Sequence, residues 1–207
     1  MIAIVDYGMG NRRSVEKALE HVGGPVSLTH DHGRIAEADG IVLPGVGAFP
    51  RAMRNLRELG LDGLLRERAA AGVPLLGVCL GMQLLFESST EHEGATGLGL
   101  LPGDVTALDG RGAKLPHIGW NLVTLRRPSR LTAGLGDAAA FYHVHTFACR
   151  PARAEDVVGT SEYGETFVSI VERDNVAGVQ FHPEKSSRDG LALLRNFVES
   201  TVPAVRA

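Results

Sequence analysis

Short, entirely apolar segments that alternate with helical patterns constrain the fold more than any other feature of this sequence. Three of them, Ile2–Val5, Gly40–Leu43 and residues 74–78, are apolar at every position. Strands that are apolar on both faces are typical of parallel sheets covered by helices, and their crossovers are right-handed. Asn11 is the expected N-cap of the first helix, and Gly60 is expected to interrupt a later helical stretch. The first half therefore predicts an α/β fold with a central, mostly parallel sheet flanked by helices.

The second half has a different pattern, in which strand candidates follow one another with turns rich in Gly, Pro and Asp. The candidate strands are residues 105–108, 121–125, 141–147, 166–171 and 176–181. A final helix is predicted at about residues 187–200, and the later strands are expected to be partly antiparallel. No linker-like tract interrupts the chain, so residues 1–207 are expected to form a single domain.

Composition and charge exclude several classes of function. The formal charge is −3 and the isoelectric point is near 6.2, so no broad basic field is available for nucleic acid. The most apolar run, residues 74–86, is too short to cross a bilayer, and the N-terminus has no signal-peptide pattern. Cys79 and Cys149 are too few for a disulfide framework. We therefore expect a cytoplasmic protein that binds neither membranes nor nucleic acid.

A candidate nucleophile lies in the motif GVCLG at residues 77–81, after an apolar strand and at the start of a helix predicted at 80–87. This is the pattern of a nucleophile elbow, in which flanking glycines permit close approach of neighbouring backbone. The helix dipole favours the thiolate form of Cys79, and the N–H of Leu80 can stabilise an oxyanion. Taken alone, the motif is also compatible with an unreactive cysteine in the core.

A candidate base and its partner lie in the motif QFHPE at residues 180–184. Alternation in an extended segment places His182 and Glu184 on the same side, so that Glu184 can orient the imidazole towards a thiol. Nucleophile, base and orienting carboxylate form the cysteine variant of a catalytic triad. The alternatives are a surface turn without function and a metal site, which lacks further ligands at a recognisable spacing. We expect neither a metal nor a cofactor.

A glycine-rich loop, PGVG at residues 44–47, follows the strand Gly40–Leu43. Backbone N–H groups of Val46 or Gly47 are candidates for a second oxyanion donor. The alternative is an ordinary turn between a strand and a helix. A phosphate-binding loop is not supported, because neither of the glycine-rich nucleotide-binding patterns is present.

Together, these three motifs resemble those of the class I, triad-type glutamine amidotransferases. The motifs DYGMGN (6–11), PHIGWN (116–121) and KSS (185–187) further resemble the glutaminase subunits of imidazole glycerol phosphate synthase, in histidine biosynthesis. The similarity covers essentially the whole chain. It implies a class I glutamine amidotransferase-like fold, and hydrolysis of glutamine to glutamate and ammonia through a glutamyl thioester on Cys79.

The resemblance also implies roles for further residues. His182 is expected to transfer protons while Glu184 holds it in place. The oxyanion hole that the resemblance implies consists of Val46, Gly47 and Leu80. The substrate-binding residues that it implies are Gly45, Gln83, Glu91, His145 and Thr146. The sequence departs from the usual family pattern at Arg12, His143, Thr146 and Phe147.

A partner subunit follows from the resemblance. Ammonia is largely protonated in water at neutral pH, so a glutaminase that supplies a synthesis must pass it on through a sheltered path. The implied partner is a (β/α)8-barrel cyclase subunit that makes imidazole glycerol phosphate and aminoimidazole carboxamide ribotide, in a heterodimer. The implied interface residues are Asn11, Trp120 and Lys185. We also expect the isolated chain to be a poor glutaminase that its liganded partner activates.

Three other functions remain open from the sequence. The chain is also compatible with a glutaminase of another pathway or with a stand-alone cysteine hydrolase of γ-glutamyl substrates. A non-catalytic binding subunit with the same fold is the third alternative, which the intact triad motifs disfavour.

Overall fold

The computed structural model describes residues 1–202, which contain one large and one small β-sheet. The strands are β1 (Ile2–Val5), β2 (Val26–Thr29), β3 (Gly40–Leu43), β4 (Leu75–Val78), β5 (Ser88–Ser89), β6 (Ala95–Thr96), β7 (Gly103–Ala107), β8 (His117–Leu125), β9 (Ala138–His145), β10 (Phe147–Pro151), β11 (Val157–Tyr163), β12 (Glu165–Arg173) and β13 (Val176–Val179). The α-helices are α1 (Arg12–His21), α2 (His32–Ala36), α3 (Phe49–Glu58), α4 (Leu61–Ala70), α5 (Leu80–Leu84) and α6 (Ser187–Ser200). Short 3₁₀ turns lie at Ala154–Asp156 and Pro183–Lys185.

The large sheet has a parallel and an antiparallel half. Its strand order is β2-β1-β3-β4-β13-β12-β11-β8-β9. Neighbours from β2 to β13 are parallel, whereas each pair from β13 onward is antiparallel. The small sheet has the order β10-β7-β5-β6. The predicted α/β fold, with a parallel centre and added antiparallel strands in the C-terminal half, is therefore confirmed.

Helices cover both faces of the parallel half because its strands are apolar on both faces. In β1, Val5 belongs to a buried cluster that includes Phe49 of α3. Its neighbour Ile4 points to the opposite face, into a cluster that includes Leu19 of α1 and Leu194 of α6. This alternation makes a three-layer arrangement in which the carboxyl ends of β3, β4 and β13 share one edge of the sheet.

Some strand predictions differ from the structure in their boundaries. The strand predicted at 141–147 is divided, because β9 of the large sheet ends at His145 and β10 of the small sheet begins at Phe147. The strand predicted at 105–108 corresponds to β7, which also belongs to the small sheet. No sequence prediction corresponds to β11, whose polar and glycine residues hide its strand pattern.

The helices discussed from the sequence lie where they are predicted, but not all have the predicted length or cap. The last helix spans Ser187–Ser200 as predicted, and Gly60, with φ 65°, separates α3 from α4. The helix predicted at 80–87 already ends at Leu84. Asn11 occupies the N-cap position of α1 but makes no side-chain capping hydrogen bond, so the expected cap is wrong. None of the helices between residues 1 and 202 is long and apolar enough to span a membrane.

Two glycine substitutions test how tightly the elbow is packed. A Cβ on Gly81 would overlap the carbonyl oxygen of Leu43, whereas a Cβ on Gly63 of α4 has no neighbour within 4 Å. We expect Gly81→Ala to lower the free energy of unfolding by about 2–3 kcal/mol, because backbone must move. Gly63→Ala, the matched control, should raise it by about 0.5–1 kcal/mol, because alanine favours the helix. Urea denaturation measures both, and equal stability of Gly81→Ala and wild type would contradict this packing.

Candidate active site

The candidate nucleophile occupies a sharp turn between β4 and α5. Cys79 has φ 54° and ψ −109°, a conformation that side chains rarely adopt, and its thiol is almost fully buried. A Cβ on Gly77 would lie 2.6 Å from the carbonyl oxygen of Gly81, so this turn requires glycine on its strand side. The predicted elbow is therefore present, with Cys79 at its tip.

The candidate base lies beside the elbow because β13 is the parallel neighbour of β4. The Cys79 N–H donates to the Val179 carbonyl oxygen at 2.7 Å, and three residues later the chain reaches His182. His182 Nδ1 lies 3.0 Å from Glu184 Oε1, and both side chains are about 1% exposed. The expected contact is made, but through the 3₁₀ turn Pro183–Lys185 and not through an extended segment.

The electrostatics of this pair favour a charged imidazole. Burial disfavours protonation of His182, but hydrogen bonding with Cys79 and with Glu184 outweighs it and raises the pKa of His182 to about 10. Burial likewise disfavours the Glu184 carboxylate, yet hydrogen bonding and attraction from His182 hold the pKa of Glu184 below its ordinary value. The arrangement stabilises an imidazolium that faces a thiol, as a cysteine nucleophile requires.

Asn11 completes the hydrogen bonding of this pair. Its Nδ2 donates to Glu184 Oε1 at 2.8 Å and lies 3.1 Å from His182 Nδ1. Because His182 Nδ1 gives its hydrogen to the same carboxylate oxygen, two donors converge on Oε1 and fix its position. From the sequence, Asn11 is predicted at a partner interface, and its contact with Glu184 is not predicted. The one local sequence signal for this contact is the position of Asn11 in the DYGMGN motif, just before a helix that it does not cap.

A cavity of about 220 Å³ opens beside Cys79. Seven of the residues predicted for the oxyanion hole or for substrate binding line this cavity: Val46, Gly47, Leu80, Gln83, Glu91, His145 and Thr146. Gly45 is not among the lining residues: a Cβ there would overlap the buried hydroxyl of Tyr7, which donates to the Pro44 carbonyl oxygen at 2.6 Å. The structure thus gathers seven of these residues at one cavity and gives Gly45 a packing role.

Backbone donors surround the cavity next to the thiol. Leu80 is the first residue of α5, so its N–H has no acceptor within the helix. Within residues 1–202, the N–H groups of Val46 and Gly47 also donate no hydrogen bond to the protein. Gly47 has φ 120°, which only glycine adopts readily. These groups are available to a developing oxyanion in the cavity.

Two polar side chains at the cavity are held by the protein itself. The Glu91 carboxylate accepts a hydrogen bond from the Phe49 N–H at 2.7 Å. Gln83 Nε2 donates to the Phe147 carbonyl oxygen and to Gln180 Oε1, both at 3.2 Å. Both amide hydrogens of Gln83 are therefore used, and its Oε1 is left as an acceptor for a ligand.

His145 and the histidines near it are committed to internal hydrogen bonds. His145 lines the cavity, but its Nδ1 lies 2.8 Å from the Phe147 carbonyl oxygen and its Nε2 lies 3.1 Å from His117 Nδ1. His143 is fully buried and faces Ser169 and its own strand. Within residues 1–202, no three His, Cys, Asp or Glu side chains are grouped to hold a metal ion.

The predicted interface residues lie at the surface near this site. Trp120 is 55% exposed, between the exposed Ile118 and Leu122 on the outer face of β8. The ring of Trp120 makes an edge-to-face contact with Tyr142, whose carbonyl oxygen accepts from the His182 N–H at 2.9 Å. Lys185, which is exposed, follows Glu184 in the 3₁₀ turn. Of these exposed side chains, Trp120 is thus separated from the candidate base by one residue, Tyr142.

Comparisons with known proteins agree with this geometry. Residues 3–201 match the profile of the family "Glutamine amidotransferase class-I". The chain is 54% identical to "Imidazole glycerol phosphate synthase subunit HisH" of Moorella thermoacetica, over 96% of this chain and 94% of the relative. It is 50% identical to the protein of the same name in Aquifex aeolicus, over 94% of each chain.

Solved structures share the fold at low sequence identity. One described as "Crystal structure of glutamine amidotransferase" has a TM-score of 0.76 and 19% identity, covering 97% of this chain and 99% of its own. "Structure of PurLQS from Thermotoga maritima" has a TM-score of 0.75 and 20% identity, covering 96% and 97%. At this identity, the likeness concerns the fold alone.

The charge state of His182 gives a direct test of the site. We expect NMR titration of the His182 ring to show an imidazolium well above pH 8, because its pKa is raised to about 10. Glu184→Gln keeps an acceptor oxygen but removes the negative charge that helps to raise this pKa, so the proton should be lost at lower pH. Glu58→Gln, at an exposed carboxylate of α3, is the matched control and should leave the titration unchanged. An unchanged titration in Glu184→Gln would contradict the pairing.

Proposed function

Because this chain belongs to the class I glutamine amidotransferase family, we propose that it is the glutaminase subunit of an imidazole glycerol phosphate synthase. It hydrolyses the side-chain amide of glutamine and delivers ammonia to a second subunit. The observation that carries this proposal is the juxtaposition of Cys79, at the tip of a strained elbow, with the buried pair of His182 and Glu184.

The reaction proceeds through a covalent intermediate. Cys79 Sγ attacks the side-chain carbonyl carbon of glutamine, and the carbonyl oxygen takes up negative charge near the N–H groups of Leu80 and the 44–47 loop. The protonated His182 gives its proton to the departing nitrogen, so ammonia leaves and a glutamyl thioester remains. Neutral His182 then takes a proton from water, which attacks the thioester, and glutamate leaves as the thiolate and imidazolium are restored.

Each helper residue has a role in this scheme. Glu184 and Asn11 hold the His182 ring in the orientation in which it faces the thiol. Gln83 and Glu91, which line the cavity, offer acceptors to the substrate ammonium, and Thr146 offers a hydroxyl. A volume of about 220 Å³ suits one small amino acid and is smaller than the usual pocket for larger ligands.

A (β/α)8-barrel cyclase is the proposed partner. Three consecutive outward side chains of β8, Ile118, Trp120 and Leu122, are each more than half exposed, as at a protein interface. Because this surface adjoins the candidate base, a partner docked there would receive ammonia close to where it forms. Asn11 and Lys185 are proposed at the edge of the same contact. The cytoplasmic location and the single domain over residues 1–207 stay predictions.

Removal of the thiol tests the proposed chemistry. In the complex with the co-expressed cyclase, Cys79→Ala should lower glutamine-dependent ammonia release by at least about 10³-fold, because no thioester can form. The complex itself should still co-purify. Cys149→Ala, at the other buried cysteine, is the matched control and should retain activity. Unchanged hydrolysis in Cys79→Ala would refute the proposal, and full activity of the chain without a partner would favour a stand-alone hydrolase.

Truncation of the exposed tryptophan tests the proposed interface. Trp120→Ala should weaken binding of the cyclase by about 2 kcal/mol, roughly 30-fold in Kd, because large aromatic side chains dominate interface energies. Leu59→Ala removes an apolar side chain that is 40% exposed at the end of α3 and serves as the control. Titration calorimetry measures both. Equal affinities for the two variants would place the interface elsewhere.

A further inference from the structure

A chain of hydrogen bonds links the inner face of β8 to the substrate cavity. His117 and His145 are cross-strand partners in β8 and β9, and His117 Nδ1 lies 3.1 Å from His145 Nε2. Asn121, also on β8, places Nδ2 at 3.4 Å from His117 Nε2 and donates to the Glu162 carbonyl oxygen at 2.9 Å. Both histidine residues are at least 95% buried, a setting in which polar atoms depend on the protein for their hydrogen bonds.

One carbonyl group determines which atom donates and which accepts in each of these hydrogen bonds. The Phe147 carbonyl oxygen can only accept, so the hydrogen of His145 must be on Nδ1, 2.8 Å away. A neutral imidazole has one such hydrogen, and burial keeps His145 neutral by lowering its pKa to about 4. Nε2 of His145 is therefore an acceptor, and His117 must donate to it from Nδ1. His117 Nε2 in turn accepts from Asn121.

The same carbonyl group also holds the side chain that faces the substrate. Gln83 Nε2 donates one hydrogen to Phe147 O and the other to Gln180 Oε1. Gln180 Nε2 lies 3.8 Å from Cys79 Sγ, so the chain continues as far as the nucleophile. With both hydrogens used, the Gln83 amide has a single orientation, with Oε1 as the acceptor at the cavity.

We propose that His117 is a positioning residue for the substrate: by donating to His145 it maintains the hydrogen bonds that orient Gln83. It touches neither the substrate nor the reacting atoms. This inference rests on the proposed function, since the ligand that Gln83 orients is glutamine. It also assigns a task to His117 and Asn121 of the PHIGWN motif, which the triad does not use.

A packing role for His117 is the alternative to exclude. Its ring stacks on Tyr163 with centroids 4.0 Å apart and lies close to His143 and Phe167. His117→Phe keeps an aromatic ring for this stack but removes the donor. His117→Asn loses the ring but keeps an amide N–H near the position of Nδ1. The two variants therefore separate the hydrogen bond from the packing.

The experiment uses the full chain in complex with the co-expressed cyclase. We expect His117→Phe to raise the KM for glutamine at least about tenfold with kcat changed less than about threefold, because a buried acceptor on His145 loses its donor. His117→Asn should return KM to within about threefold of wild type. His30→Phe, at an exposed histidine, is the control and should change neither constant.

A spectroscopic readout accompanies the kinetics. ¹⁵N NMR should show His145 as the Nδ1–H tautomer in the wild type and in His117→Asn, and a changed state in His117→Phe. Equal KM values for His117→Phe and wild type, or equal increases in both variants, would overturn the inference. Absence of ammonia release from the wild-type complex would instead refute the proposed function, so the two failures are distinguishable.

Discussion

The parallel pairing of β4 with β13 is the constraint on which the rest of the structure depends. Val78 is in register with Val179, and the Cys79 N–H closes the ladder on the Val179 carbonyl oxygen. Two strands of four residues, far apart in the chain, therefore end side by side at the carboxyl edge of the sheet, where α/β folds place their ligands. The elbow and His182 follow directly from these two ends, so a shift of one residue in this register would separate them.

Burial of the triad is tolerable because its charges compensate one another. A carboxylate that is about 1% exposed is costly unless it is paired. Glu184 Oε1 accepts from both His182 and Asn11, whereas Oε2 has no hydrogen-bond partner among residues 1–202. The positive charge of the His182 imidazolium therefore compensates the negative charge of Glu184, and the reverse also holds. Because each charge stabilises the other, the pKa of His182 is raised and the pKa of Glu184 is lowered.

Local signals made the parallel half and the triad motifs predictable from the sequence, whereas the division of residues 141–147 between two sheets and the contact of Asn11 with Glu184 were not. An apolar strand, an elbow and a His-Pro-Glu turn each depend on adjacent residues. The change of sheet at Thr146 is invisible in the sequence, because no glycine or proline interrupts residues 141–147 and only pairing with β8 and β7 decides it. Asn11 is a second example: a polar residue before a helix usually caps it, but its φ of 73° directs the side chain to Glu184 instead.

Strand β8 performs two tasks because its side chains alternate. Ile118 and Trp120 point outward to the proposed partner surface, whereas His117 and Asn121 belong to the hydrogen-bond chain that ends at the cavity. Hydrogen bonds weaken steeply with distance and angle, so under this proposal a displacement of β8 on docking would change the contacts that orient Gln83. The activation by a liganded partner that we expect from the sequence can therefore be tested at β8: the strand of the proposed interface is also the strand that we propose to support the substrate site.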